Sequence, residues 1–349
     1  DLKQINAPVI VIFYDLIPLL NPALYLKDNK VFDQFYNLKL NELKQVNGLL
    51  SISNSAAQEA QKFLNFKQDS VFNISSACDE KLFNISPCEF ASNRINSLDN
   101  KFILYTGAGD PRKNLRGLLE AYSNLSWDLL IKYKLIIAGK LLEPEVANIY
   151  KWIESFGIEI NNVIILGYVT DNELISLYKK CRLFVFPSFH EGFGLPVLEA
   201  MSCGAPVIAS NSTSLPELIG FDKAMFNPDD VESIKKLLEK ALLDDKYREA
   251  LIQNSIRQSK LFSWKKTAVL ANLSLKKIYQ RRDNKISLSW LEIMELNKGL
   301  YLNLIDDLKN NTLIMRSIKK DLVEKIASSI DLINTDSDRL LRFFNSNSQ

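Results

Sequence analysis

What most constrains this chain is a rhythm that begins at Lys101, where apolar runs of strand length alternate with stretches of helical spacing. FILYTG (102–107) is followed by RKNLRGLLEAYSNL, KLIIAG (134–139) by EVANIYKWIESFG, and VIILGYV (163–169) by ELISLYKKC. LFVFPS (183–188) and PVIAS (206–210) continue the series. Strands separated by helices are carried back to the same edge each time, so they form βαβ units and a parallel sheet covered on both faces. Thr170-Asp171-Asn172-Glu173 has the pattern of a capping box opening the third helix.

The rhythm runs to about Arg282, which predicts a Rossmann-like domain over 96–282. Residues 1–95 carry buried-strand runs at 9–13 and 48–53 and helical spacing at 32–46 and 56–64. They are expected to form part of a second Rossmann-like domain whose remainder lies upstream, joined through a polar linker at 86–100. Beyond Arg282 only helical periodicity remains, with Met315, Ile318, Leu322, Ile326, Ile330 and Ile333 on one face. Residues 283–349 are therefore expected to be a helical extension, packed on the body or acting as a connector. The fold class is α/β, with two parallel-sheet domains facing a cleft, the first incomplete.

Composition narrows the chemistry. A formal net charge of +2 gives no reason to invoke nucleic acid. One histidine, His190, excludes metal centres or triads that need several imidazoles. Cys78, Cys88, Cys181 and Cys203 show no CxxC pairing, which argues for a reducing compartment and against a zinc site. The longest apolar runs are strand-sized, too short for a bilayer span, and no leader is visible at the N-terminus. A chain that starts inside a longer protein is expected.

Two loops carry the chemistry. In FHEGFGLPVLEAMSCGAPVIAS, a strand ends in a turn containing Gly192 and Gly194, and Pro196 sits where a helix begins. Backbone amides at such a turn, together with the helix N-terminus, form an anion site at the carboxyl end of a parallel strand. Glu191 lies on the loop and Glu199 is expected in the first helical turn, facing the same crevice. The bland alternative is that both carboxylates only stabilise the helix dipole, by about 0.3–1 kcal/mol each. In YTGAGDPRKNLRGLLEAY, Gly107 and Gly109 sit after a strand, and Arg112 and Lys113 are expected at the start of the next helix. Cations at a helix N-terminus oppose its dipole, which sits poorly with a purely structural role and suits a pyrophosphate; the bland alternative is a solvated surface pair.

The stretch from Glu191 to Ser210 closely resembles the signature of retaining GT-B glycosyltransferases of the group 1 type. Glu191, Gly192, Phe193, Gly194, Pro196, Glu199, Ala200, Met201, Gly204 and Pro206 match it. The resemblance covers about 9–279. It implies that Glu191 and the amides of Phe193, Gly194 and Leu195 contact the donor sugar and diphosphate, and that Glu199 accepts hydrogen bonds from the ribose. It further implies that Gly107, Gly109, Arg112 and Lys113 face the leaving diphosphate, with Gly167, Tyr168 and Val169 beside the nucleobase. Many relatives carry His-Asp after the first strand here, and this chain has Tyr14-Asp15. Asp15 keeps the expected sugar-facing position; outside the family pattern it is a turn or cap residue. His190 lies beside Glu191 at the cleft, on the opposite domain from Asp15, and is counted with the donor-binding residues, a plain loop residue being the bland alternative.

By resemblance the chain is a metal-independent hexosyltransferase with retention, moving sugar from a nucleotide-diphosphate donor, GDP-mannose-like by preference, to a saccharide or lipid-linked acceptor. No cofactor is expected. A cytoplasmic site of action, peripheral at the inner face of a membrane, is compatible with the sequence. Two alternatives are weighed against it: a non-hydrolysing sugar-nucleotide epimerase, disfavoured by the single histidine, and a non-catalytic nucleotide-sugar-binding module.

Overall fold

The structure, a computed structural model, describes residues 7–86, 92–99, 101–107 and 109–280. Contacts divide the chain into Asp1–Arg281 and Arg282–Gln349, and every described residue belongs to the first unit. The expected extension at 283–349 with its apolar stripe, Cys88 and part of the linker lie outside the described residues.

The N-terminal part holds a parallel sheet of three strands, β1 (Ile10–Phe13), β2 (Gly48–Ser51) and β3 (Val71–Asn73), in that order. Helices α1 (Ile17–Leu20), α2 (Pro22–Tyr25), α3 (Lys30–Leu43) and α4 (Asn54–Leu64) connect them. The α4 helix begins after Ser53, whose Oγ accepts from the Ala56 amide. It turns Ala56, Ala57, Ala60 and Leu64 onto a small core with Phe13, Leu16, Leu40, Leu49 and Val71. Three residues are too few to show periodicity, and β3 was not anticipated from the sequence.

The second sheet has six parallel strands: β4 (Phe102–Thr106), β5 (Lys134–Ala138), β6 (Val163–Gly167), β7 (Leu183–Phe186), β8 (Val207–Ser210) and β9 (Met225–Phe226). The short α5 (Asn93–Asn96) precedes it. Helices α6 (Leu115–Ser123), α7 (Trp127–Lys132), α8 (Glu143–Ser155), α9 (Asp171–Lys180), α10 (Leu195–Ser202), α11 (Leu215–Ile219), α12 (Val231–Leu243), α13 (Asp245–Ser259) and α14 (Trp264–Gln280) complete the unit. Every side chain of β4, β7 and β8 is buried, as expected for strands covered on both faces. The capping box at Thr170 and Glu173 is present. The two-residue β9 was not anticipated.

Strand order is β6-β5-β4-β7-β8-β9. The chain therefore grows outward from β4 in one direction, then returns to place β7 on the other side of β4. The loops leaving β4 and β7 diverge at this reversal, and the crevice between them is where parallel α/β sheets bind ligands.

Candidate functional site

The loop after β4 is drawn tight by two glycines. The Gly107 amide donates to Ala138 O at 3.0 Å. Gly139 has φ +152°, and a Cβ there would lie 2.0 Å from Gly107 O. The loops after β4 and β5 touch because neither carries a side chain at that point. A turn of 3-10 helix, Pro111–Lys113, follows, with Asp110 Oδ1 accepting from the Arg112 amide at 2.9 Å. Asn114, at φ 53°, breaks this turn from α6. Arg112 and Lys113 thus end a separate turn instead of opening α6, which corrects the sequence expectation. Pro111 and the left-handed Asn114 are the physical reason.

Both cations reach the loop after β7. Lys113 Nζ lies 2.7 Å and Arg112 Nη1 2.8 Å from Glu191 Oε1. Arg112 also donates to the His190 carbonyl, and Lys113 Nζ stands 4.9 Å from the centre of the Phe186 ring. Glu191 is buried; its amide donates to Thr213 Oγ1 at 2.9 Å and its carbonyl accepts from Ser214 Oγ at 2.9 Å. Beneath the β4 loop the Tyr105 hydroxyl is buried with no hydrogen-bond partner among the described residues, 2.7 Å from where a Cβ on Gly107 would sit. Burial pushes that phenol far up.

Gly194, at φ +100°, caps α10. Counting from Leu195, Glu199 is the fifth helical residue, so it lies in the second turn and not the first as expected. A dipole role weakens there, since the effect fades beyond the first turn. Glu199 accepts from the Tyr178 hydroxyl at 3.3 Å, and burial raises its pKa. Phe193 is buried, its ring packed edge-on against Phe262. Further along the sheet, Gly167 turns at φ +68° and leaves Tyr168 exposed ahead of the half-buried Val169. Arg94 donates to the carbonyls of Leu166 and Tyr168, each at 3.2 Å.

The opposite wall comes from the first sheet. Gly192 meets it so closely that a Cβ would lie 2.8 Å from Tyr14 O and 3.0 Å from Asp15 Oδ2. Asp15 Oδ1 accepts from the Ile17 amide at 3.0 Å, and burial is the largest cause of its raised pKa. Tyr14 is 65% exposed and meets Gly192 through its backbone carbonyl. Ser53 Oγ donates to Gly192 O at 2.7 Å. Glu217 accepts from the amides of Asn54 and Ser55 at 2.9 and 2.7 Å, closing the N-terminus of α4. The Tyr25 hydroxyl donates to Asp110 at 2.9 Å, and burial first, then Asp110, pushes the phenol's pKa up to about 12. His190, expected among the donor-binding residues, has its Nε2 2.7 Å from Glu59 Oε1 on α4. It is a close polar contact: among the described residues Nε2 makes no aligned hydrogen bond. Ser53, Glu59, Glu217 and Tyr25 were missed by sequence reading. Glu59 carried a signal, being a carboxylate inside an alanine stripe.

A cavity beside the β4 loop is lined by Gly109, Leu115, Ile149, Trp152 and Phe189 among others, but not by Lys113, Glu191 or Glu199. Among the described residues no group of His, Cys, Asp and Glu is placed to hold a metal ion, and no helix is long and apolar enough to cross a membrane. Two cations converging on one buried carboxylate form a site that can exchange that carboxylate for a more highly charged anion.

The family model for glycosyl transferases group 1 matches residues 89–258. The serotype-specific mannosyltransferase WbdA of Escherichia coli is 44% identical over 274 residues, covering 76% of this chain and 33% of its own length. O-antigen chain mannosyltransferase B of Escherichia coli is 35% identical, over 72% of this chain and 66% of that protein. The chain thus spans about a third of the length of its WbdA relatives. Among solved structures, sucrose-phosphate synthase from Thermosynechococcus elongatus aligns with TM-score 0.66 at 20% identity, over 80% of this chain and 69% of that one. Anabaena HepE in complex with UDP and glucose aligns at 0.62 and 18%, over 78% and 72%. The fold is GT-B, and the chain belongs to the group 1 glycosyltransferases.

Proposed function

We propose that this chain transfers mannose from GDP-mannose, with retention and without a metal ion, to a saccharide or lipid-linked acceptor in surface polysaccharide synthesis. One observation carries the reading: Lys113 and Arg112 converge on Glu191 at the sheet's reversal point, where a leaving diphosphate would lie. The mannosyltransferase relatives favour the sugar, and their names favour the polysaccharide.

In this scheme the C1–O bond to the diphosphate breaks and its electron pair stays on the phosphate oxygen. Charge developing there is met by Lys113, Arg112 and the amides near Gly194, a fixed set of donors in a buried crevice. The acceptor hydroxyl attacks C1 from the face the diphosphate leaves, and its proton passes to the departing phosphate. Glu199 holds the ribose; Gly167, Tyr168 and Val169 flank the base; Asp15 faces the sugar from the first sheet. Glu191 moves from its cations to the sugar when the diphosphate takes its place. The unpartnered Tyr105 hydroxyl supports an anion at Gly107.

The test is transfer from GDP-, UDP-, ADP- and dTDP-sugars to oligomannose acceptors, with the product anomer read by NMR. GDP-mannose giving an α-linked product, at a rate unchanged by EDTA, is expected. An isomerised sugar nucleotide formed without acceptor would instead identify an epimerase.

A further inference from the structure

We infer that Glu59 is a positioning residue of the transfer site, tying the loop after β1 to the loop after β7 so that Asp15 and Glu191 face one donor. The inference rests on the glycosyl-transfer reading above.

Glu59 sits on the apolar stripe of α4, among Ala56, Ala57 and Ala60, and is 8% exposed. A carboxylate in such a place is costly unless both its oxygens find partners. Oε2 accepts from the Leu16 amide at 3.0 Å, and Oε1 lies 2.7 Å from His190 Nε2. Leu16 directly follows Asp15, and His190 directly precedes Glu191. One side chain therefore holds the immediate neighbours of the two acids that the two sheets bring to the crevice.

The attachment of α4 to the loop after β7 does not depend on this carboxylate alone. The helix is already anchored at its N-terminus through Ser53 to Gly192 O and through Glu217 to the amides of Asn54 and Ser55. What the tie controls is a gap with no slack, because Asp15 Oδ2 and Tyr14 O already press on Gly192. A shift of Leu16 by about one ångström would carry Asp15 out of register with Glu191, and misplacement of that size can cost on the order of 10²-fold in rate. Asp15 and Tyr36 are the groups of the first sheet that feel the Glu59 carboxylate, and Arg112 and Lys113 lie beyond it on Glu191.

The chain contains one histidine, so its imidazole gives one assignable set of NMR signals to follow in this chain. Glu59→Gln keeps the volume and an acceptor for Leu16 but removes the charge facing His190. Its imidazole signal is expected to move, with kcat lowered about 10–100-fold, donor KM within about 3-fold of wild type and Tm shifted by less than about 4 °C. Glu59→Ala is expected to add faster hydrogen exchange at the Leu16 amide. In a cycle with His190→Gln, the double variant should lose no more rate than the worse single one. Additive losses, or full kcat in Glu59→Gln, would overturn the inference. Should the wild-type chain transfer no sugar, the glycosyl-transfer reading fails separately. The tie is then judged by the NMR signal and by Leu16 exchange, and their being unchanged in both variants overturns it.

Discussion

The wall of the crevice carried by β4 and β7 rests on six strands whose central members are wholly buried, whereas the wall carried by β1 and α4 rests on three strands and a small alanine-lined core. On the first wall, Gly107, Arg112, Lys113 and Glu191 are placed by the sheet itself, because strand order puts their loops side by side. On the second, Asp15 is held against Gly192 by Ser53, Glu59, Glu217 and Tyr25, each reaching across to a residue far away in sequence. Core packing fixes one wall; a handful of polar contacts fixes the other. A site built this way keeps the charge-bearing loops rigid while the sugar-facing side can be adjusted one contact at a time.

The contrast can be broken from the rigid side first. Gly139→Ala would place a Cβ 2.0 Å from Gly107 O at a φ of +152°, forcing the β4 and β5 loops apart. A loss on the order of 3 kcal/mol or more is expected, read as a lower midpoint in urea. Next comes the other wall. Glu217→Ala removes two charge-assisted hydrogen bonds from partly exposed amides of α4, costing about 1–2 kcal/mol. Hydrogen exchange should quicken in α4 while β4 and β7 keep their protection. Uniform quickening in both sheets would show that the two walls are one cooperative unit.

A smaller effect has the opposite sign. Burial raises the pKa of Glu199 above its ordinary 4.5, so the folded protein holds that proton more tightly than the unfolded chain. Its stabilising contribution is complete below 4.5 and is lost as pH rises through the folded value. Glu199→Gln should therefore raise Tm slightly at neutral pH, with the gain vanishing below the ordinary value, while donor affinity falls. A variant less stable than wild type at neutral pH would remove the burial argument and leave the Tyr178 hydrogen bond as the larger influence.

The rigid wall was also the legible one. FILYTG and LFVFPS announce β4 and β7 because strands buried on both faces are apolar throughout, and the glycines and cations follow directly on them. Finer placement was hidden in local backbone geometry. Asn114 at φ 53° detaches Arg112 and Lys113 from α6, and the cap at Gly194 moves Glu199 into the second turn. The adjustable wall was nearly silent. Glu217 in LPELIG looks like an ordinary first-turn carboxylate, and nothing local to His190 shows that it meets Glu59 on α4. Contacts such as Ser53 with Gly192 join residues 139 positions apart, and no local pattern encodes them.

The central claim is that Lys113 and Arg112 are aimed at a diphosphate. It is tested most directly by titrating GDP and guanosine into the wild-type chain and into Lys113→Ala, with UDP and uridine in parallel. Wild type should prefer the diphosphate over its nucleoside by at least about 10-fold, and removing the lysine should collapse that gap, since a charge-assisted hydrogen bond contributes about 1.5–3 kcal/mol. An undiminished gap in Lys113→Ala would contradict the assignment of the diphosphate to this loop.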